Sequence, residues 1–371
     1  MPAPQPGKTI AFAFDIDGVL IRSKARLPGA KETLSMLQEH NIPFIFLTNG
    51  GGRTEEDHAV HLGQQLGLQF SGDQFVQSHS PFRALVPTLK DATVLVLGGI
   101  GHKNCEVAKA YGFNNVITSS DIFCEEPAIC PFADLTELRH LATGKDLSCV
   151  PRTSEGQLKI DAIFVFSNSQ DWGLDLQLVM DLLLSRNGIL GTISDKNGDP
   201  ASPNRGYLQD GQPSIYFSCQ DLTYAAKYPQ PRMARGAFTK ALEGIWAAHT
   251  GGARLIKSFV CGKPTQVTYE YAEKALLNYH TEKYAEDFAD IRHLPEIETV
   301  YMIGDNPASD IAGANAFSSQ AGIDWKSVLV ESGVYEAGSV PEHQPTAIAK
   351  GVKEAVQLAF EAEGLILRTD V

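Results

Sequence analysis

Short apolar runs alternate with helix-like stretches along most of the chain. The runs Ile10–Phe14, Pro43–Leu47 and Thr299–Ile303 are too short for helices, and their continuous apolar character is typical of strands buried on both faces. Between the first two runs, Leu34 and Leu37 lie three positions apart on one face of a predicted helix. Because strands that alternate with helices form parallel sheets, this pattern predicts an α/β fold.

A second series of strands and helices occupies the middle of the chain. It begins near Asp91, with predicted strands at Thr93–Leu97 and Asn115–Thr118, and it includes another short strand at Ile189–Ile193. Prolines and cysteines interrupt residues 124–157, so we expect loops there.

Regular alternation returns at Ala237 and continues through a strand at Ile256–Val260 to a last helix at Ala347–Phe360. A chain of 371 residues also exceeds what a single hydrophobic core usually organises. We therefore predict one α/β domain, formed by residues 1–90 and 231–371, that is interrupted by an inserted domain of residues 91–230.

The composition argues against several classes of function. A formal net charge of −13 disfavours binding to nucleic acid or to anionic membranes, and no apolar run approaches the ~20 residues that a membrane span needs. The six cysteines form no C-x-x-C pair, so we expect reduced thiols in an intracellular protein. The first residues carry no targeting signal, which favours the cytoplasm, whereas a presequence ahead of this chain would favour mitochondria.

Polar residues suited to phosphate chemistry follow four of the predicted strands. The carboxyl ends of parallel strands are where ligands bind in open α/β sheets. Taken singly, each residue has a simpler explanation: Asp15 and Asp17 as solvated acids, Thr48 and Lys263 as loop residues, and Asp310 as a helix N-cap. Four such strand ends in one chain favour a shared site, whose members are Asp15, Asp17, Thr48, Asn49, Lys263, Gly304, Asp305, Asn306 and Asp310.

These residue types suit covalent catalysis on a phosphate. One of the carboxylates Asp15 and Asp17 can act as a nucleophile and metal ligand while the other moves protons. The hydroxyl of Thr48 and the N–H groups of the loop after it can hold a phosphoryl oxygen. Three carboxylates without histidine or cysteine favour a hard cation that prefers oxygen ligands.

The order and type of these residues resemble the four motifs of the haloacid dehalogenase superfamily: an Asp-x-Asp, a Thr or Ser, a Lys, and a Gly-Asp-x-x-x-x-Asp. More than two hundred residues separate Thr48 from Lys263, which leaves room for the C2-type α/β cap that the NagD-like class inserts there. The resemblance implies a Rossmann-like parallel-sheet core with such a cap. Within that class the chain is similar to the cat-eye-syndrome-critical-region-5-like branch, in the segments Ser78–Pro81, Asp171–Gln177, Tyr216–Ser218, Tyr228–Arg232, Gly236–Phe238 and Gly262–Thr265.

The resemblance also implies roles for individual residues. Asp15 would be the nucleophile that forms an aspartyl-phosphate, and Asp17 would protonate the leaving oxygen and then activate water. The phosphate-binding residues would be Thr48, Asn49 and Lys263. Mg²⁺ would be held by Asp15, the carbonyl of Asp17 and Asp305, with Gly304, Asn306 and Asp310 in support. The implied function is a Mg²⁺-dependent phosphatase for small phosphorylated metabolites.

Two other functions remain open from the sequence. A phosphotransferase or mutase would use the same intermediate, and a non-enzymatic scaffold or binding module would retain a relict site. The resemblance further implies a homo-oligomer formed through the cap.

Three segments of the predicted cap carry their own expectations. Changes at Asp171 or Trp172 are expected to alter substrate preference, although Asn168–Gln170 departs from the Asp-Pro-Arg of relatives. The segment Gly98–Asn104 resembles a dinucleotide-binding loop but lacks the third glycine, so we expect it to begin the cap.

Overall fold

The structure of the chain is a computed structural model. It describes residues 9–365 except residues 24, 132, 225–227, 229, 231, 257–258 and 288–293. Among the described residues, the strands are β1 (Thr9–Phe14), β2 (Ile21–Arg22), β3 (Ala25–Arg26), β4 (Phe44–Thr48), β5 (Phe75–Gln77), β6 (Thr93–Leu97), β7 (Asn115–Ile117), β8 (Ala162–Val165), β9 (Ser214–Phe217), β10 (Thr223–Tyr224), β11 (Arg232–Met233), β12 (Phe259–Val260), β13 (Ile297–Gly304), β14 (Asp324–Val330) and β15 (Ala347–Ala349).

The α-helices of the described chain lie between these strands, except the last, which follows β15. They are α1 (Ala30–Glu39), α2 (Glu55–Leu66), α3 (Val86–Leu89), α4 (Lys103–Tyr111), α5 (Ser119–Glu125), α6 (Glu137–Thr143), α7 (Trp172–Leu184), α8 (Arg235–Thr250), α9 (Gln266–Asp287), α10 (Ala312–Ala316) and α11 (Val352–Ala362). In the part of the chain that the structure covers, no helix combines the length and the apolar character needed to cross a bilayer.

Two parallel sheets organise the molecule. The first sheet has six strands in the order β15, β14, β13, β1, β4 and β5, and the second has five in the order β12, β9, β8, β6 and β7. Strands of residues 91–230 pair only in the second sheet and in a small ribbon formed by β10 and β11. The prediction of a parallel α/β core is therefore confirmed, and no strand among the described residues of 91–230 joins the first sheet.

The first sheet is buried on both faces. One face packs against helices α1 and α11, through side chains that include Leu34, Leu37 and Val356. The other face packs against α9, through Tyr269 and Leu276. Because water reaches neither face, the buried positions of β1 (Ile10–Phe14) are all apolar, which is the pattern that made the strand recognisable in the sequence.

The second sheet is also covered on both sides. Leu178 of α7 and both Phe238 and Trp246 of α8 pack on one face, and Phe82 and Ala108 pack on the other. Helix α8 therefore belongs to the second sheet and not to the first.

The structure differs from the prediction at the place where the inserted segment ends. We expected the first domain to resume at residue 231, with a strand at Ile256–Val260. Residues 257–258 of this predicted strand lie outside the described residues. Its described part, Phe259–Val260, pairs in parallel with β9 of the second sheet. The partner of this strand is decided by tertiary packing, which the local sequence pattern does not show. The second sheet and its helices thus extend to Val260.

Three local predictions are also corrected. Ile189–Ile193 forms turns instead of a strand, with Gly191 at φ +77° and Ile193 73% exposed. Residues 124–157 contain the helix α6 as well as loops. Ala347 begins strand β15, and the last helix starts only at Val352, because pairing with β14 outweighs the helix propensity of the alanines.

Candidate active site

Three neighbouring strands of the first sheet carry predicted site residues at their carboxyl ends. Asp15 follows β1 and is 8% exposed, Thr48 is the last residue of β4, and Asp305 follows β13. Strand β1 lies between β13 and β4, and all three run in parallel. Their ends are therefore side by side at one edge of the sheet.

Lys263 reaches this edge from the second sheet. The residue follows β12, and its buried ammonium lies 2.8 Å from Oδ1 of Asp15 and 2.7 Å from Oδ1 of Asp310. The ammonium also donates to the carbonyl of Leu47 at 2.7 Å. Burial alone would lower the pKa of Lys263, but the carboxylates of Asp15 and Asp310 outweigh it and raise that pKa above its ordinary value. The side chain is a fixed cation.

Asp305 sits in a cradle made by two glycines. Its Oδ2 accepts the backbone N–H of Val334 at 2.7 Å. A Cβ on Gly18 would lie 2.3 Å from this oxygen, and a Cβ on Gly333 would lie 1.8 Å from it. Gly18 also has φ +87°, a conformation that other residues rarely adopt. Any larger residue at position 18 would collide with the side chain of Asp305, so Gly18 is needed for Asp305 to lie here.

The acidic side chains form one buried cluster. Carboxylate oxygens of Asp15, Asp305 and Asp310 lie within 4.8 Å of one another. Burial and the negative charges of Asp15 and Asp310 raise the pKa of Asp305 well above its ordinary value. Because the ammonium of Lys263 offsets only part of this charge, the cluster favours a further cation. The predicted metal ligands are Asp15, the backbone carbonyl of Asp17 and Asp305, and this ligand set remains a prediction.

The loop after β13 fixes Asp310. The backbone N–H of Asn306 donates to Oδ2 of Asp310 at 3.0 Å, while the Asn306 side chain accepts the N–H of Ala308 at 3.0 Å. Asn306, not Asp310, is therefore the N-cap of the helical turn Pro307–Ile311. A Cβ on Gly304 would lie 2.2 Å from the Cβ of Asp310, so glycine is needed at position 304 for this carboxylate to approach.

Asp17 differs from the other acids because its side chain keeps contact with solvent. Partial burial and the negative charge of Asp15 raise the pKa of Asp17 to about 6. The positive charge of Lys263 lowers this pKa, but by less. A carboxyl with this pKa can carry a proton near neutral pH.

Thr48 and Asn49 shape the loop after β4. Oγ1 of Thr48 accepts the backbone N–H of Gly50 at 3.0 Å. Asn49 bonds to the backbone of Lys263, and its Nδ2 also donates to Oδ2 of Asp221 at 2.9 Å. Asp221 follows strand β9 of the second sheet. The structure therefore brings together all the predicted strand-end residues, and it joins them to the inserted unit.

Arg235 is a site residue that sequence reasoning missed. It is 7% exposed, and its guanidinium donates to Oγ of Ser78 (2.8 Å), to the carbonyl of Phe166 (2.9 Å), to Oγ of Ser218 (2.6 Å) and to the carbonyl of Asn49. Within the described residues, no carboxylate oxygen lies within 4 Å of it, so its hydrogen bonds go to hydroxyl and carbonyl oxygens. An arginine at the start of a helix carries no sequence signal for such a position.

His79 is a second buried residue that supports the loop after Asn49. Its Nε2 accepts the backbone N–H of Gly52 at 3.1 Å, so Nδ1 carries the proton and donates to the Tyr111 hydroxyl at 2.8 Å. The hydroxyl of Tyr111 in turn donates to Glu55 at 2.6 Å. Burial and the charge of Arg235 lower the pKa of His79 well below its ordinary value, which keeps this hydrogen-bond chain intact.

Asp171 and Trp172 are engaged inside the inserted unit. Oδ1 of Asp171 accepts the N–H of Leu174 at 3.1 Å and so caps α7, and its Oδ2 contacts Nε2 of His140 at 3.1 Å. Trp172 packs edge to face on Phe238, with ring centroids 5.4 Å apart. Their expected effect on substrate preference remains a prediction.

Two family models match the two segments of the chain that carry the predicted strand-end residues. A model described as haloacid dehalogenase-like hydrolase matches residues 12–114, and one described as HAD-hydrolase-like matches residues 260–355. A p-nitrophenyl phosphatase from Archaeoglobus fulgidus has the same fold, with a TM-score of 0.59 and 16% identity over 95% of this chain and 99% of that one.

Two curated relatives match nearly the whole chain. A mitochondrial hydrolase of Saccharomyces cerevisiae is 34% identical over 95% of this chain and 96% of its own length. A cardiolipin synthase (CMP-forming) / mitochondrial hydrolase fusion protein of Schizosaccharomyces pombe is 38% identical over 96% of this chain, which spans about half (54%) of that protein. The chain therefore belongs to the haloacid dehalogenase-like hydrolases.

Proposed function

We propose that the chain is a magnesium-dependent phosphatase that hydrolyses small phosphorylated metabolites through an aspartyl-phosphate on Asp15. The observation that carries the proposal is the contact between Asp15 and the buried ammonium of Lys263, 2.8 Å apart at the edge where Asp305 and Asp310 also lie. A nucleophilic carboxylate beside a fixed cation suits attack on a phosphate, since the cation offsets charge on the phosphoryl oxygens.

The proposed reaction has two half-reactions. In the first, a carboxylate oxygen of Asp15 attacks phosphorus, the bond from phosphorus to the ester oxygen breaks, and Asp17 gives its proton to the departing alcohol. In the second, the carboxylate of Asp17 takes a proton from water, whose oxygen attacks phosphorus and displaces Asp15. Inorganic phosphate leaves, and both aspartates return to their starting states. The pKa of Asp17, raised to about 6, supports its part in both steps.

Lys263 and the loop after β4 would hold the phosphoryl oxygens during these steps. The ammonium of Lys263 is positioned by Asp310 and by the carbonyl of Leu47, so it is fixed before a substrate arrives. The positive charge of Arg235, which binds the carbonyl of Asn49, also favours an anion near this loop. Preorganised donors of this kind stabilise charge without a cost of reorganisation.

The donor set fits a magnesium ion. Three buried carboxylates lie within 4.8 Å of one another, and among the described residues the ammonium of Lys263 is the one cation paired with them. Asp15 and Asp305 would hold the ion, together with the backbone carbonyl of Asp17. When bound, Mg²⁺ would supply positive charge to the phosphoryl group.

A phosphotransferase or mutase would share this site, and a scaffold would retain it without turnover. The experiment that separates the three is the release of inorganic phosphate by the purified chain, with and without Mg²⁺, from a panel of sugar, glycerol, nucleotide and aryl phosphates in the absence of an acceptor. We expect release that depends on Mg²⁺. Release only after an alcohol acceptor is added would support a transferase, and no release from any ester would support a scaffold.

We also propose a mitochondrial location over a cytoplasmic one. Both curated relatives are named as mitochondrial hydrolases, one of them as part of a fusion protein, which supports this location. Fractionation of cells that express the full native gene should place the protein with mitochondrial markers, and a purely cytosolic distribution would contradict this.

A further inference from the structure

The loop after β4 is held from behind by two neighbouring residues, Ser78 and His79. The backbone N–H and the Oγ of Ser78 donate to the carbonyl of Gly50 at 3.3 Å and 3.2 Å. Nε2 of His79 accepts the N–H of Gly52 at 3.1 Å. This pair therefore fixes both peptide groups that flank Gly51. Because the C=O and the N–H of a trans peptide point in opposite directions, the N–H of Gly51 points away from Ser78.

The imidazole of His79 has no space to move. It is fully buried, and it stacks on the ring of Phe166 with the ring centroids 4.3 Å apart. A Cβ on Gly51 would lie 2.6 Å from its Cδ2, so the backbone of the loop packs directly against the ring. Phe166 follows strand β8 of the second sheet. The imidazole therefore contacts both the loop and the inserted unit.

A buried anion sets the direction of each hydrogen bond that leads to this ring. Glu55, at the start of α2, pairs as a carboxylate with Arg83 at 2.9 Å and accepts from the Ser80 hydroxyl at 2.6 Å. It also accepts from the hydroxyl of Tyr111 at 2.6 Å. Once that hydrogen is used, the hydroxyl oxygen can only accept, and it takes the Nδ1 hydrogen of His79 at 2.8 Å. Nε2 is then left without a hydrogen, as its bond from the loop requires.

Burial keeps the two middle groups of this chain of hydrogen bonds neutral. It raises the pKa of the Tyr111 hydroxyl well above its ordinary value, and the charge of Glu55 adds to this effect. Burial and the charge of Arg235 lower the pKa of His79 well below its ordinary value. Near neutral pH the imidazole therefore carries one hydrogen, and the chain of hydrogen bonds places it on Nδ1.

We propose that His79 is a positioning residue for the phosphate group and that Tyr111 fixes the tautomer in which it works. Tyr111 belongs to α4 of the inserted unit, so a residue outside the phosphate-binding loop controls how firmly that loop is held. Without its hydroxyl, the imidazole hydrogen can move to Nε2, where it opposes the N–H of Gly52. The loop holds the phosphate in the ground state and in the transition state alike, so its loosening raises KM and leaves kcat nearly unchanged. The inference rests on the proposed function.

The first test is Tyr111→Phe, which removes the hydroxyl and keeps the ring. Calorimetry with inorganic phosphate in the presence of Mg²⁺ should give a Kd about tenfold above that of the parent, the loss expected for one buried hydrogen bond. With 4-nitrophenyl phosphate, KM should rise by a similar factor while kcat stays within about threefold. Tyr301→Phe is the matched control, because Tyr301 also donates to a glutamate, Glu363 at the end of α11, at 2.7 Å. It should change neither constant.

Two substitutions of His79 separate the roles of its two nitrogens. Glutamine can place a carboxamide oxygen at the position of Nε2, whereas the shorter asparagine reaches only the position of Nδ1. His79→Gln should therefore keep the Kd for phosphate within about threefold of the parent, and His79→Asn should raise it at least about tenfold. In protein labelled with ¹⁵N-histidine, the signals lost in His79→Gln identify this ring. They should show the hydrogen on Nδ1 in the parent and on Nε2 in Tyr111→Phe.

Binding and the tautomer separate a failure of this inference from a failure of the proposed function. If the chain turns over no ester but Tyr111→Phe weakens phosphate binding and shifts the tautomer, the proposed function fails and the positioning role stands. A parent His79 with its hydrogen on Nε2, or equal Kd values for phosphate in Tyr111→Phe and Tyr301→Phe, would overturn the role. A parent that binds no phosphate would overturn both.

Discussion

Asn49 and Lys263, 214 residues apart in the chain, are joined by two reciprocal hydrogen bonds. The backbone N–H of Lys263 donates to Oδ1 of Asn49 at 2.7 Å, and Nδ2 of Asn49 donates to the carbonyl of Lys263 at 3.0 Å. Asn49 follows strand β4 of the first sheet, and Lys263 follows strand β12 of the second sheet. The paired amide therefore fixes the place at which Lys263 enters the site.

Arg235 should matter for activity because it holds the carbonyl of Asn49 from behind. Arg235→Lys keeps the charge but loses most of the hydrogen bonds, and we expect kcat/KM for a phosphate ester to fall about tenfold. Arg235→Met also leaves buried acceptors unpaired, and we expect a fall of about a hundredfold. Arg152→Met, which removes an arginine paired with Glu125 in the inserted unit, serves as the control. A folded Arg235→Met variant with the activity of the parent would contradict this role.

Removal of one acid should weaken metal binding without loss of fold. Asp305→Asn keeps an oxygen that can accept the N–H of Val334, but it removes one negative charge from the cluster. We expect the Kd for Mg²⁺, measured by calorimetry with the metal alone, to rise at least about a hundredfold. Asp324→Asn makes the same charge change at an exposed position of the first sheet and should leave the Kd unchanged. Equal Kd values for the Asp305→Asn variant and the parent would mean that Asp305 is not a ligand.

The sequence predicted the strand-end residues because their position follows from a general rule. Asp15, Thr48 and Asp305 each come directly after an apolar run, and parallel strands place such residues at one edge. Gly18 and Gly304 are also part of the sequence motifs. The structure explains them, because a side chain at either position would occupy the space of Asp305 or Asp310. Local patterns of this kind require no knowledge of distant contacts.

The parts that the sequence did not predict depend on contacts between distant segments. Arg235 has the surroundings of an ordinary helix start, and its role exists only because Ser78, Phe166 and Ser218 meet there. The strand predicted at Ile256–Val260 was placed in the first domain, but its described residues Phe259–Val260 pair with β9 of the second sheet. The pairing of strands and the hydrogen-bond partners of a buried residue such as Arg235 depend on tertiary packing, which a single sequence does not show.

Asp175 should make the stability of the inserted unit depend on pH. Burial raises the pKa of this carboxyl above its ordinary value of 3.8, although Ser119 donates a hydrogen bond to it. Its favourable contribution is therefore complete below that value and is lost as the pH rises through the folded-state pKa. Asp175→Asn cannot ionise, so its Tm relative to the parent should increase between about pH 4 and about pH 7. A Tm difference that is constant over this range would contradict the shift.

The covalent intermediate on Asp15 is the central claim, and the Asp17→Asn variant can trap it. Because 4-nitrophenolate leaves without a proton, 4-nitrophenyl phosphate should still phosphorylate Asp15 in this variant, while hydrolysis stalls for lack of a base. Mass spectrometry of the digested protein should locate one phosphoryl group on the peptide that contains Asp15, and Asp15→Asn in the same background should abolish it. Turnover by the unchanged chain with no phosphoryl group on that peptide in the trapping variant, or with the group on another residue, would contradict the account.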